Sequence, residues 1–565
     1  MRAIRLGCLV SRTAGVLAAS FLALGLVTPP AFAADPGKPK AKLVKDKTEA
    51  AAAEAPAAKP QGIKAKAAAI DAFLQDAWDG ASIKPSKRAD DAEFMRRAYL
   101  DLVGRIPNVK EAADFLSNKD ADKRLKLVDT LLTHPDYAKN FATQWTVLLV
   151  GRRAQERMVD KGALTAWLRV QFAANRPWTQ IANELITAKG SNKKNGAANY
   201  VMSHLENGAV PLTSITTRVF LGQQIQCTQC HDHPSNDWKQ VDFWSINAFF
   251  KGLHTRVVTK TDATGADVPD YTEVYDEPTD AFSTFDKRNA MIGIAFPTFL
   301  DGRKISQGTD VERRDELGTF ITVDNEQFAK AFVNRMWAHL MGRGFVHPVD
   351  DFGAHNQPSN PELLDYLASE FKASGYDVRE LIRRITACQA YNATSQSTKE
   401  NEKDESLASH MALKPMNPEQ LFDSLIVATS AHKAGGGGDT DKTRGEWMRQ
   451  FQFAFANDEG EESTSFQGTI PQALMMMNGP LMEKAVSGQS GSFLADLLAQ
   501  AQLQRKQRID LFVVNRLYLG ALSRYPTPRE LAMGREFLNN TPEPIPVMED
   551  IFWALLNSNE FILNR

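Results

Sequence analysis

Apolar residues recur at helical spacing along most of this chain. The first run is Ile70, Phe73, Leu74 and Trp78, followed in looser form by Phe94, Ala98, Leu100 and Leu102. Amphipathic stretches then predict helices over residues 124–132, 137–149, 162–173 and 179–186. The spacing returns at Arg313, where Leu317, Phe320 and Ile321 open a pattern carried on by residues 328–341. Start signals accompany it. Asn108 with Glu111 three residues on is an N-cap pair. Asn360-Pro361-Glu362 supplies a cap, a proline at the first helical position and early negative charge ahead of Leu363, Leu364, Leu367 and Phe371. Thr527-Pro528-Arg529-Glu530 is a capping box with the same proline device.

The period changes between His254 and about Pro297. Residues 255–259 and 271–275 read as short strands around a turn rich in Gly, Asp and Pro. The expected fold class is therefore mainly α, with two helical units and a small β-hairpin excursion between them. The boundaries read as a first helical unit at 67–256, the irregular or β excursion at 257–311 and a second helical unit at 312–565. Residues 34–66, with Ala50 to Ala53 and Pro56 to Pro60 at their centre, are rich in Ala, Lys and Pro, offer little to a core and read as a disordered tether. Gly435 to Gly438 interrupt the second unit, and no Gly-Lys-Ser/Thr follows to make a phosphate loop.

The amino end adds a compartment. Arg2, Arg5 and Arg12 precede the apolar run from Ala14 to Val27, and Ala31-Phe32-Ala33 offers small residues for cleavage, so residues 1–33 read as a secretory signal peptide. The run is too short to span a bilayer, and no later segment is long and apolar enough to do so. An exported chain in the periplasm or cell envelope is expected. Loss of the three leader arginines takes the formal charge from −2 to −5, which argues against a nucleic-acid surface. The chain has four cysteines; Cys8 lies in the leader, leaving Cys227, Cys230 and Cys388, too few for a disulfide-stapled scaffold.

Two of those three form Cys227-Thr228-Gln229-Cys230-His231. Cys-x-x-Cys-His is the spacing at which two thiols add to the vinyl groups of one haem, with the histidine placed to ligate the iron. Cys227 and Cys230 are thus the cofactor-binding candidates and His231 the ligand to haem iron. Met202, His204 and His254 are candidates for the second axial ligand, and Trp238, Phe243, Trp244, Phe249 and Phe250 are either walls for a porphyrin or helix core. Three other readings stay open: a short disulfide, an unoccupied motif, or a zinc site to which His233 is the alternative ligand. A second polar constellation, His339, Arg343, His347, Asp350, Asp351, His355 and Asn356, has the chemistry of a metal site, of acid–base hydrolysis, or of a hydrogen-bonded turn. Cys388 reads as a small core residue.

Longer motifs carry a family resemblance. Residues 67–253 resemble the planctomycete cytochrome-c-like domain DUF1549 (PSCyt2), through Arg96-Arg97-Ala98-Tyr99-Leu100-Asp101-Leu102-Val103-Gly104-Arg105-Ile106-Pro107. Phe220-Leu221-Gly222-Gln223-Gln224-Ile225-Gln226, which leads into Cys227-Thr228-Gln229-Cys230-His231-Asp232-His233-Pro234, and Trp238 carry the same likeness. Residues 312–565 resemble its companion DUF1553 (PSD1) through Phe332-Val333-Asn334-Arg335-Met336-Trp337-Ala338-His339, Gly342-Arg343-Gly344, Asp350-Asp351-Phe352-Gly353, Pro361-Glu362-Leu363-Leu364, Pro471-Gln472-Ala473-Leu474 and Leu556-Asn557-Ser558-Asn559-Glu560-Phe561. The resemblance implies a haem-binding signature without naming a reaction.

The expected function is an exported c-type-cytochrome-like protein with covalent haem c, working in electron transfer or haem-based redox chemistry with a redox partner protein. The alternative is a non-redox envelope protein, a hydrolase or a polysaccharide-binding scaffold, in which the cysteines form a disulfide or hold zinc or nothing.

Overall fold

The helices predicted over 124–132, 137–149, 162–173 and 179–186 each form within two residues of their expected bounds. The computed structural model describes residues 60–152, 159–234, 236–279, 282–305, 312–436, 440–455, 475–503, 509–540 and 543–565. The expected leader at 1–33, the expected tether up to residue 59 and Pro471-Gln472-Ala473-Leu474 lie outside the described residues. The first-half patterns become Lys123–Thr133, Pro135–Val150, Lys161–Ala173 and Trp178–Ile186, and those after the excursion become Arg313–Thr322 and Glu326–Met341. Asn108 and Thr527 close full capping boxes with Glu111 and Glu530, and the Asn360 side chain accepts the Leu363 N–H ahead of Pro361–Ala373. The structure is mainly α, 60% helical, with small antiparallel sheets between helical regions.

The first helix, Pro60–Ala81, reaches back into the stretch expected as tether. Ile63 and Ala67 are buried in register with Ile70, Leu74 and Trp78, and Lys66 pairs with Glu380 at 2.6 Å. Residues 60–66 therefore belong to the fold; their Lys and Ala content hid one apolar stripe.

The excursion is larger than one hairpin. Leu253–Thr261 and Asp267–Asp276 pair antiparallel with Thr255 opposite Val274, and Gly190–Ser191 adds a third strand from the helical region upstream. A second hairpin, which the alternation did not show, joins Ser283–Asp286 to Ile292–Ala295 with Phe285 opposite Gly293.

The described residues form one compact unit, and its apolar interior falls into two clusters. The first runs from Ile70 to Met411 and also takes Leu519. The second gathers residues from Met416 to Phe561 and takes Leu100 and Ile106 from the first half. The change from one apolar cluster to the other thus falls between 411 and 416 rather than within residues 257–311. The reason is the helix Glu326–Met341, which turns Phe328, Phe332 and Met336 onto helices of the first half. Trp145, Trp178, Phe332 and Phe371 form one aromatic column, with ring centroids 4.4, 4.7 and 5.0 Å apart.

A buried polar hub ties the two clusters together. The Asp101 carboxylate, 1% exposed, accepts the Tyr391 hydroxyl at 2.9 Å, the Lys414 ammonium at 2.7 Å and the Asn564 amide at 2.7 Å. Lys414 spends its other two protons on the His339 and Leu340 carbonyls, each at 2.9 Å. Arg97 donates to the Tyr391, Ala393 and Arg565 carbonyls and to Glu93, while Arg96 donates to the carbonyls of Ala521 and Phe561. Buried charge is tolerated only when paired in this way.

Candidate functional site

The helix Glu206–Leu221 stops at Gly222, whose φ of +64° favours glycine, and a Cβ there would lie 2.7 Å from the Phe352 ring. The chain then forms the 3-10 turn Gln226–Gln229. Cys227 lies in this turn, and Cys230 follows directly after it, three residues on. Thr228, between them, is buried, and its hydroxyl donates to the Ile225 carbonyl at 2.6 Å. Both cysteines are exposed, free thiols.

His231 Nδ1 lies 2.7 Å from the Asp232 carbonyl oxygen. A carbonyl only accepts, so Nδ1 carries the proton and Nε2 is left as the lone-pair nitrogen, the arrangement that a metal-ligating histidine needs. Asp232 has a structural task, since its Oδ1 accepts the Gln240 N–H at 2.9 Å and caps the helix Gln240–Asn247. That helix holds the turn. The Gln229 carbonyl accepts Trp244 Nε1 at 3.1 Å and Gln240 Nε2 at 3.2 Å, and the Trp244 ring stacks on Phe285 at 5.9 Å. The five aromatic candidates therefore divide. Phe243, Phe249 and Phe250 are core, whereas Trp238 and Trp244 are half-buried beside the loop.

The candidates for a second axial ligand are spoken for. Met202 is buried in the first cluster. His204 Nε2 lies 2.7 Å from the Leu149 carbonyl, and burial holds this ring below its ordinary pKa. His254 stands on the strand Leu253–Thr261, against Tyr275 and 3.8 Å from Glu277.

The second constellation splits. His339 turns inward, Nε2 2.9 Å from the Asp101 carbonyl, and burial lowers its pKa. Arg343 faces Glu405 at 3.4 Å, and His347 is held below its ordinary pKa first by burial and then by Arg343. The remainder comes to the cysteine loop. Gln224 donates to Asp350 at 2.8 Å, and Phe352 N–H donates to the Gly222 carbonyl at 2.9 Å. His355 Nε2 sits 3.2 Å from both oxygens of Asp351, and its ring lies 6.2 Å from that of His233. Gly353 allows this approach, since a Cβ there would lie 2.5 Å from Asn236 Nδ2 and 2.7 Å from His355. Among the described residues, no three His, Cys, Asp or Glu side chains are already set to hold a metal ion.

Residues 69–255 match the family model described as protein of unknown function DUF1549 (PSCyt2), and residues 313–459 match that of DUF1553 (PSD1). The chain carries a DUF1549 domain followed by a DUF1553 domain. No curated protein and no solved structure matches it. The DUF1549 domain supplies Cys227, Cys230, His231 and His233, and the DUF1553 domain supplies Asp351 and His355 across the seam. The expected second helical unit, 312–565, runs on past the DUF1553 match.

Sequence reasoning missed Gln240, Asn236 and the capping role of Asp232. Gln240 gives no local signal, because its partners at residues 229 and 286 are set by tertiary packing. Asp232 gives none either, because it caps Gln240–Asn247 from eight residues upstream, across a loop, rather than from the position just before the helix.

Proposed function

We propose that this protein is an exported c-type-cytochrome-like protein that carries one haem through Cys227 and Cys230 and works in electron transfer or haem-based redox chemistry. The reading rests on one observation: two exposed thiols, one in a 3-10 turn and one directly after it, followed by a histidine whose Nδ1 is already committed to a carbonyl. That donor set fits haem c. Each thiol adds across one vinyl C=C bond, the sulfur bonding to the carbon nearer the ring and the thiol hydrogen ending on the outer carbon, so nothing is oxidised. His231 Nε2 would ligate the iron, with the ring oriented by the Asp232 carbonyl. Trp244 and Gln240 hold the turn by its Gln229 carbonyl. Bound haem supplies a one-electron iron couple whose potential follows its second ligand and its burial. Haem of this kind is attached after export, in agreement with the leader at residues 1–33 and with a place in the periplasm or cell envelope. No described helix is long and apolar enough to cross a membrane.

The test is expression with an export leader and a haem-attachment system. The expected result is a Soret band and a pyridine haemochrome typical of two thioether links, with covalent haem lost in Cys227→Ser and Cys230→Ser. A folded, colourless protein from such cells would sink the reading.

A second reading is favoured by the His233–His355 pair, whose separation of 6.2 Å suits two imidazoles on one divalent cation such as zinc, with Asp351 orienting His355. Metal analysis of the colourless protein, repeated on His355→Ala, separates this from an empty loop.

A further inference from the structure

Beside the cysteine loop, the second hairpin turns the wrong side chains outward. Met291, Ile292, Ile294 and Phe296 are 56%, 70%, 55% and 53% exposed. Elsewhere in the described chain, no three exposed large apolar residues fall so close together in sequence. The alternation of the strand explains the geometry. Gly293 and Ala295 face inward, and Gly293 is needed because a Cβ there would lie 2.4 Å from the Phe285 ring that stacks on Trp244. Ile292, Ile294 and Phe296 therefore form one outward stripe. A contiguous apolar face on a two-stranded hairpin is an aggregation hazard unless something covers it.

The hairpin is joined directly to the haem motif. Gln240 Nε2 donates both to the Gln229 carbonyl, next to Cys230, and at 2.9 Å to the Asp286 carbonyl, whose residue pairs with Ile292. The tip carries the exposed cations Lys287 and Arg288, and Lys287 N–H closes the turn on the Met291 carbonyl at 2.9 Å. The surface thus combines an apolar stripe with a cationic end, and its strand end shares the Gln240 donor with the carbonyl next to Cys230. A porphyrin has the complementary chemistry, with an apolar macrocycle and two propionates on one edge.

We propose that the outward face of the hairpin Ser283–Ala295, continued by Phe296, is the seat of the porphyrin, with Ile292, Ile294 and Phe296 against the macrocycle and Lys287 and Arg288 facing its propionates. This rests on the haem reading above. It adds a specific apolar wall that the cysteine motif does not contain, and it places that wall outside the helix of aromatics that follows the motif.

The test uses the full-length exported protein made with the attachment system. Ile294→Glu, at an exposed position, is compared with wild type and with Val170→Glu, which alters an equally exposed apolar residue on the helix Lys161–Ala173. The expected result is that all three carry covalent haem, but Ile294→Glu alone shows a shifted Soret band and haem bleached severalfold faster by peroxide. A fluorescent apolar dye should bind strongly to the haem-free Cys227→Ser/Cys230→Ser protein and weakly to the loaded one, and Ile294→Glu should abolish the difference. Wild-type protein that carries haem while Ile294→Glu matches it in every readout overturns the seat alone. A variant that changes only the oligomeric state also overturns the seat, because the stripe then covers a second copy. Haem-free wild type overturns the seat together with the reading beneath it.

Discussion

The Asp101 hub and the Cys227–His231 loop are both dense in polar residues, and both are centred on residues of the DUF1549 domain, yet they are built in opposite ways. At the hub every proton of Lys414 has an acceptor, and Asp101 accepts three side-chain donors. At the loop, backbone groups are pinned by Gln240, Trp244 and Thr228, while the reactive atoms, two thiols and one imidazole nitrogen, are left uncommitted. Satisfied burial marks a group that holds the fold. Exposed reactive atoms on a firmly held backbone mark a group kept for chemistry. A motif's residues therefore cannot be ranked by type alone, because Arg96, Arg97 and Asp101 are the more strongly polar set and are the structural one.

That contrast can be broken by mutation. Asp101→Ala leaves the Lys414 charge buried without its partner and should cost about 3–5 kcal/mol of stability. Chemical denaturation would show it as a fall in midpoint, and a change under about 1 kcal/mol would mean that the hub is solvated.

A smaller effect follows from the hub's histidine. His339 is held below its ordinary 6.5 by burial, so between its folded pKa and 6.5 the unfolded chain binds more protons than the folded one. Stability is therefore fully present above pH 6.5 and is lost as pH falls below it, by at most about 1.4 kcal/mol per pH unit for this one group. His204 titrates in the same direction for the same reason. His339→Gln should flatten the fall in denaturation midpoint between neutral and mildly acidic pH, and an unchanged slope would remove His339 from the account.

The smallest stability effect belongs to the loop. Cys227→Ser exchanges one exposed atom and should move the stability of the haem-free protein by less than about 0.5 kcal/mol, although it should prevent the thioether link. A large loss of stability would place Cys227 with Asp101 as a structural residue and erase the contrast.

The helices were legible because their signals are local. The periodicity before Arg313 and the boxes opened by Asn108 and Thr527 lie within one or two turns of chain. The hairpin 283–295 was not legible, because its outward face is apolar and its inward face holds Gly293 and Ala295, the reverse of the usual alternation. The assignment of polar residues failed in a related way. His339 and His355 belong to the same sequence cluster, but the helix Glu326–Met341 turns one toward Asp101, while the close approach at Gly353 brings the other toward His233.

The mainly helical character, the helix starts and the Cys227-x-x-Cys230-His231 donor set follow from local sequence, since each depends on residues a few positions apart. Which groups are reactive is settled only in the folded chain. Whether a carboxylate is a buried anchor or an open ligand depends on what lies around it in space, and Asp101 takes its partners from residues 391, 414 and 564, some 290 to 463 positions along the chain.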